Sequence, residues 1–152
     1  MNKGYINRKL KSLIQRVGTR DLHDILSELN IQVYRVDKNR PLLRNANASY
    51  YKGKKQPRIY ISRDCPDEIK PFVIAHEIGH AVLHDSEISH FGLSKKGDRE
   101  EREADYFAIK LLNLKGEPEE GYTTADYAHL YGVCEDAVAY LFETNKDSTT
   151  ER

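Results

Sequence analysis

His76-Glu77-Ile78-Gly79-His80 sits between Phe72-Val73-Ile74-Ala75 and Ala81-Val82-Leu83, and the organisation of the whole chain follows from it. Apolar residues on every side of the pentapeptide predict a helix buried nearly all round. The helix should begin near Asp67 and run to His84, with Asp67 and Glu68 at its positive end and Pro71 confined to the first turn. Histidines four apart share one helical face, roughly 6 Å apart along the axis, so their imidazoles can converge on one ion. Glu77 is turned from His76 by about 100° and is placed to meet a water, not the ion. Core histidines satisfied by hydrogen bonds are the plainer alternative, but the complete pentapeptide on a buried helix favours a metal. Gly79 inside a helix costs about 1 kcal/mol against alanine, so something should approach the backbone there, a substrate or a crossing strand.

A catalytic zinc needs a third protein ligand and an open position. Asp85–Gly97 has little periodicity and reads as a loop that reverses the chain; Asp98–Leu112 is helical again. On that second helix Glu101, Ala104, Asp105, Ala108 and Leu112 share a face that should be core, and two acids there need a cause. Facing the His76 helix, Glu101 can ligate zinc while Asp105, one turn on, accepts the free N–H of a ligating histidine. Ala104 and Ala108 leave room for close approach. Glu103 projects away from this face and is the second choice of ligand, with Glu100 behind it. His84 continues the four-residue series, yet a helix cannot easily wrap three successive turns around one small ion, so His84 is assigned a structural role close to the ligands. His90 in the loop, Tyr106, and the tyrosines at 50, 51 and 60 are candidate transition-state donors. His129 reads as a surface residue.

Upstream, residues 5–17 carry Ile6, Leu10, Leu13 and Ile14 at helical spacing under a basic outer face. Thr19 can cap a second helix with a Leu22, Ile25, Leu26, Leu29 stripe that ends near Asn30. Ile31–Val36, Ala48–Lys52 and Arg58–Ser62 read as short strands, the last two a hairpin around Gly53-Lys54-Lys55, with Asp37–Asn47 a surface loop. Arg58–Ser62, just before the metal-site helix, is expected to be an edge that can pair with an extended substrate. The expected class is therefore α+β and mostly helical, with a three-stranded sheet beside the HExxH helix. One domain over 1–152 would comprise N-terminal helices over about 5–30, the sheet and zinc-site helices over about 31–113, a C-terminal helical pair over about 122–143 and a frayed tail over 144–152.

The 152 residues are 39% hydrophobic and 32% charged, with 24 Lys plus Arg balancing 24 Asp plus Glu. No net field draws nucleic acid or an anionic membrane. Two cysteines, Cys65 and Cys134, are too few for a disulfide framework, and the polar Met1 end and lack of a long apolar run point to the cytoplasm.

HEIGHAVLH over His76–His84 together with EREADYFAIKLL over Glu101–Leu112 resembles the ImmA/IrrE family of metallopeptidases. The second motif of that family, E-x-[E/Q]-A-[N/D]-x-F-A, falls with its ligand on Glu101 and its acid on Asp105, in agreement with the face argument. The resemblance spans roughly residues 20–113 and implies a zincin-like fold. Asn113-Leu114-Lys115 replaces the Met-Pro often found after the second motif. It implies zinc-dependent peptide hydrolysis with one zinc on His76, His80 and Glu101 and with Glu77 as general base. It also implies a protein substrate, a helix-turn-helix repressor of a phage or mobile element, whose cleavage relieves repression.

Two other functions compete. Thr124–Val133 followed by Val138 has helix-turn-helix rhythm, but no Lys or Arg occurs between Lys115 and Lys146 while Glu117, Glu119, Glu120, Asp126, Glu135, Asp136 and Glu143 are acidic. Phosphate would be repelled, so direct nucleic-acid binding is not expected. An acidic helical pair can instead dock the basic face of a repressor. The remaining alternative is a non-catalytic repressor-binding regulator with a structural zinc, against which an intact Glu77 argues.

Overall fold

The computed structural model describes residues 1–44, 46–84, 98–114, 119–131, 133 and 135–142. Ile6, Leu10 and Leu13, spaced to share one face, are buried beneath helix α1 (Lys3–Val17). The Asn2 side chain accepts the Tyr5 N–H at its start, and Gly18, at φ 87°, closes its end with an N–H to the Ile14 carbonyl. That left-handed cap favours glycine. Helix α2 (Leu22–Glu28) buries Ile25 and is capped by Asp21, whose carboxylate accepts the Asp24 N–H. Thr19 is therefore not the cap: its hydroxyl accepts the N–H of Asp21 and orients the residue that is. Asn30 at φ 56° ends the segment, as expected, and the Ile31 N–H returns to the Leu26 carbonyl.

Strands β1 (Gln32–Val36), β2 (Ala48–Tyr51) and β3 (Arg58–Ser62) form one sheet in the order β1-β3-β2. β2 and β3 are the expected hairpin, antiparallel, while β1 pairs with β3 in parallel. This corrects the edge assignment of Arg58–Ser62. β3 is the central strand, hydrogen-bonded on both sides, because the long connection from β1 returns the chain between its neighbours. Ile59, Ile61, Tyr50 and Ala48 are buried on the face turned to the helices. On the other face Tyr34, 44% exposed, stacks on Tyr60 with ring centroids 5.8 Å apart.

Helix α3 (Lys70–Leu83) starts three residues later than the sequence suggests. Proline lacks an N–H and suits the first helical turn, so Pro71 fixes the start, and Asp67 pairs with Lys70 at 2.8 Å ahead of the helix. From Phe72 to Leu83 every residue is buried or half-buried, as the sequence predicts. α3 packs on β2, on α1 and α2, and most extensively on helix α4 (Asp98–Leu112). The α1–α2 corner is tied to the end of α4 by Arg20, which donates to the carbonyls of Lys110 at 2.7 Å and Leu111 at 3.0 Å.

Gly79 explains the closeness of α3 and α4. A Cβ at this position would lie 3.1 Å from Phe107 Cδ1 and 3.3 Å from the Ala104 Cα and carbonyl oxygen. What approaches the glycine is a crossing helix, neither a substrate nor a strand. Gly79→Ala gains about 1 kcal/mol in helix propensity but overpacks backbone, at a typical cost of 1–3 kcal/mol. A net loss of about 1 kcal/mol, seen as a melting temperature lower by roughly 2–4 °C, is expected; an unchanged or higher value would show that α4 can retreat.

Helix α5 (Thr124–Tyr131) is closed by a reciprocal cap in which Thr123 and Asp126 each accept the other's N–H. A 3₁₀ turn at Glu135–Ala137 opens the last helical stretch, which continues through 142 and buries Ala137, Val138 and Leu141. The loop expected at Asp85–Gly97, with His90, and the tail expected over 144–152 lie outside the described residues. Among those described, no helix is long and apolar enough to cross a membrane.

Candidate metal centre

α3 and α4 bring His76, His80 and Glu101 together. His76 Nε2 lies 3.0 Å from Glu101 Oε2 and 3.2 Å from His80 Nε2, and His80 Nε2 is 3.1 Å from Glu101 Oε1. Four donors held at roughly 2.0–2.1 Å around a tetrahedral zinc stand about 3.3–3.4 Å apart. The three donors thus already have nearly the spacing of one face of such a tetrahedron, and a cation fits between them. These residues also form a cluster whose ligand atoms all lie within 4.8 Å of one another. A second such cluster, Asp21, His23 and Asp24, meets the same limit but is wholly exposed, and its Asp21 carboxylate already caps α2 by accepting the Asp24 N–H.

The opposite ring nitrogens are also held. His76 Nδ1 lies 2.8 Å from Asp105 Oδ1, where the sequence places that carboxylate. His80 Nδ1 lies 2.9 Å from His84 Nδ1, and His84 Nε2 lies 3.1 Å from Glu103 Oε1. Glu103, the second choice of ligand, is thus directed to His84 and not to the donor cluster. It is buried because the α3–α4 interface is wider than the Glu101–Asp105 face alone: α3 ends at His84, whose extended backbone (φ −121°, ψ 97°) carries its ring over the flank of α4. Read from the sequence, His84 has a structural role near the ligands but no partner; a histidine one turn past the pentapeptide and an acid two residues after Glu101 are the signal for the pair.

Glu77 is 6% exposed, and its Oε2 is buried without a hydrogen-bond partner among the described residues. Such an atom is costly unless it serves a bound species. Tyr106 is not brought to the cluster: its ring is fully buried and its hydroxyl donates to Asn7 Oδ1 at 3.3 Å, on the α1 side of α4, so it is set aside as a transition-state donor. Tyr51 and Tyr60 belong to the outer sheet face, whereas Tyr50 is buried on the side turned to the helices.

Electrostatics point the same way. Burial opposes a charge on His76, yet its hydrogen bonds to Asp105 and Glu101, with the Glu77 carboxylate nearby, prevail and push it up to about 10. Burial likewise opposes charge on Glu101, but hydrogen bonds from His76 and His80 hold its carboxyl well below the usual carboxylate range. The cluster demands positive charge, and in metal-free protein a proton supplies it. Because the folded value for His76 exceeds the unfolded one near 6.5, that proton's stabilisation is complete below about pH 6.5 and is lost as pH rises through about 10. A bound cation would take the proton's place. Zinc loading near pH 8 is therefore expected to release about one proton per chain, measurable by calorimetry in buffers of different ionisation enthalpy. Equal heats in all buffers would contradict this.

A helix-borne histidine pair, a carboxylate from the next helix and a small adjoining sheet are the parts of a zincin-like metallopeptidase. The family profile described as the IrrE N-terminal-like domain, a peptidase family, matches residues 27–143, and the chain belongs to that family. The match continues well beyond Asn113, so the departure at Asn113-Leu114-Lys115 does not end the likeness. No curated protein and no solved structure matches the chain. Membership gives a metallopeptidase-type function, a protein substrate and a typical dependence on metal.

Proposed function

We propose that the chain is a zinc endopeptidase that cleaves a helix-turn-helix repressor of a phage or mobile element and so relieves repression. The observation that carries the reading is the convergence of His76 Nε2, His80 Nε2 and the Glu101 carboxylate beside the buried Oε2 of Glu77, which has no hydrogen-bond partner among the described residues. When bound, zinc supplies Lewis acidity, lowering the pKa of water towards about 7 and polarising the scissile carbonyl. The two histidines and Glu101 fix the ion's position, and Asp105 holds the His76 ring with its proton on Nδ1. Glu77 accepts the proton of the attacking water and delivers it to the leaving amine. With β3 in the centre of the sheet, an extended substrate is better matched to β2, the outer strand packed on α3.

The repressor as substrate rests on the resemblance to the ImmA/IrrE family and on charge. The C-terminal pair, with Asp126 in α5 and the exposed Glu135, is acidic and free of Lys and Arg, which suits the basic face a repressor turns to DNA. A non-catalytic regulator with a structural zinc would have no use for a buried base at Glu77. The test is incubation of the zinc-loaded chain with purified helix-turn-helix repressors, products being read by mass spectrometry. Cleavage at a defined bond, abolished by a chelator, is expected; intact repressors alongside cleavage of an unrelated protein would reject the substrate assignment.

A further inference from the structure

We propose that His84 and Glu103 are positioning residues for His80, a hydrogen-bonded pair that fixes which nitrogen of His80 faces the metal. The inference rests on the metal reading above and extends it to residues outside the ligand set. For His80 to offer the lone pair of Nε2 to a cation, its proton must reside on Nδ1. That nitrogen lies 2.9 Å from His84 Nδ1, which must then accept. His84 consequently carries its own proton on Nε2, 3.1 Å from Glu103 Oε1, a carboxylate oxygen that can only accept when ionised. The donor and acceptor roles follow in one direction from the ligand to the carboxylate. The other ligand is held by the same logic in a shorter form, His76 Nδ1 meeting Asp105 directly at 2.8 Å.

Three further observations make the pair more than a packing contact. The side chains of His80, His84 and Glu103 are 3%, 9% and 11% exposed, so water competes little for these hydrogen bonds. His84 ends α3 with its N–H on the His80 carbonyl at 2.9 Å, so backbone and ring both bind it to the same residue. The second oxygen of Glu103 lies 4.0 Å from Arg99 Nε, so the carboxylate is held from the α4 side as well as by His84. Neither His84 nor Glu103 is thereby left to ligate the ion: the former's Nδ1 is engaged by His80 and the latter's Oε1 by His84.

The test is zinc affinity by chelator competition on the full chain, with long-range proton–nitrogen correlation spectra of the zinc-loaded protein. His84→Phe keeps a flat ring without an acceptor, and Glu103→Ala removes the terminal acceptor. Each is expected to weaken zinc binding about 10–100-fold, the usual effect of losing a group that orients a ligand. Glu103→Gln, whose amide oxygen still accepts, is expected to recover most of the loss. In wild type the spectra should show His80 protonated on Nδ1 and His84 on Nε2, an outcome that requires no variant to fold. Affinities within twofold of wild type in folded His84→Phe and Glu103→Ala, or the reverse tautomers, would overturn the proposal while leaving the metal reading intact. A wild type that binds no zinc would overturn both.

Discussion

Glu101→Gln is expected to leave the chain folded and to strip it of zinc. The carboxylate is the one anionic donor of the three, and it faces both histidines at 3.0 and 3.1 Å. An amide of the same shape carries no charge and is a weak zinc ligand. The affinity loss should exceed the roughly 100-fold upper range for removing a group outside the ligand set. Folding should survive, because the Glu101 side chain is 43% exposed and lies at the edge of the α3–α4 interface, not within it. Elemental analysis after dialysis, with circular dichroism as the folding control, checks this. Zinc retained by a folded Glu101→Gln chain would move the third ligand elsewhere.

Glu77→Gln is expected to do the opposite: full zinc content, with turnover of the protein substrate lower by about 10²–10⁴-fold, the range for a general acid–base group. Glu77 lies next to a ligand in sequence but is turned about 100° from it around the helix, so its loss should not disturb the ion. Its buried Oε2 makes no hydrogen bond among the described residues, so replacing the carboxylate should not lower the melting temperature. Activity undiminished in Glu77→Gln would remove the assigned base. The contrast between the two variants separates holding the metal from moving the proton.

Much of this arrangement is legible in the sequence because helical geometry is rigid. The four-residue spacing of His76 and His80 and the shared face of Glu101 and Asp105 leave little freedom once two helices meet, and the structure brings the four side chains together. The later start of α3 has a cause visible in the sequence, Pro71, which prevails over the pull of Asp67 and Glu68 towards a helix terminus. Thr19 and Asp21 are both good caps, and only the path of the chain decides between them. The sheet is harder: strand order depends on contacts between distant segments, so nothing local in Arg58–Ser62 says that β1 will pair with it in parallel. Tyr106 misled because its neighbours in sequence serve the site, although on a helix a residue next to Asp105 faces another way. On an ideal helix Glu103 projects away from Glu101; the residue types of the His84–Glu103 pair are legible, but the extended backbone at His84 that joins them is not.

Anomalous X-ray diffraction at the zinc edge on crystals of the zinc-loaded chain locates the ion itself. One peak is expected, about 2.0–2.2 Å from His76 Nε2, His80 Nε2 and a carboxylate oxygen of Glu101, with Asp105, His84 and Glu103 outside bonding distance. A peak ligated by His84 or Glu103, or no peak between α3 and α4 at full zinc loading, would contradict this ligand set.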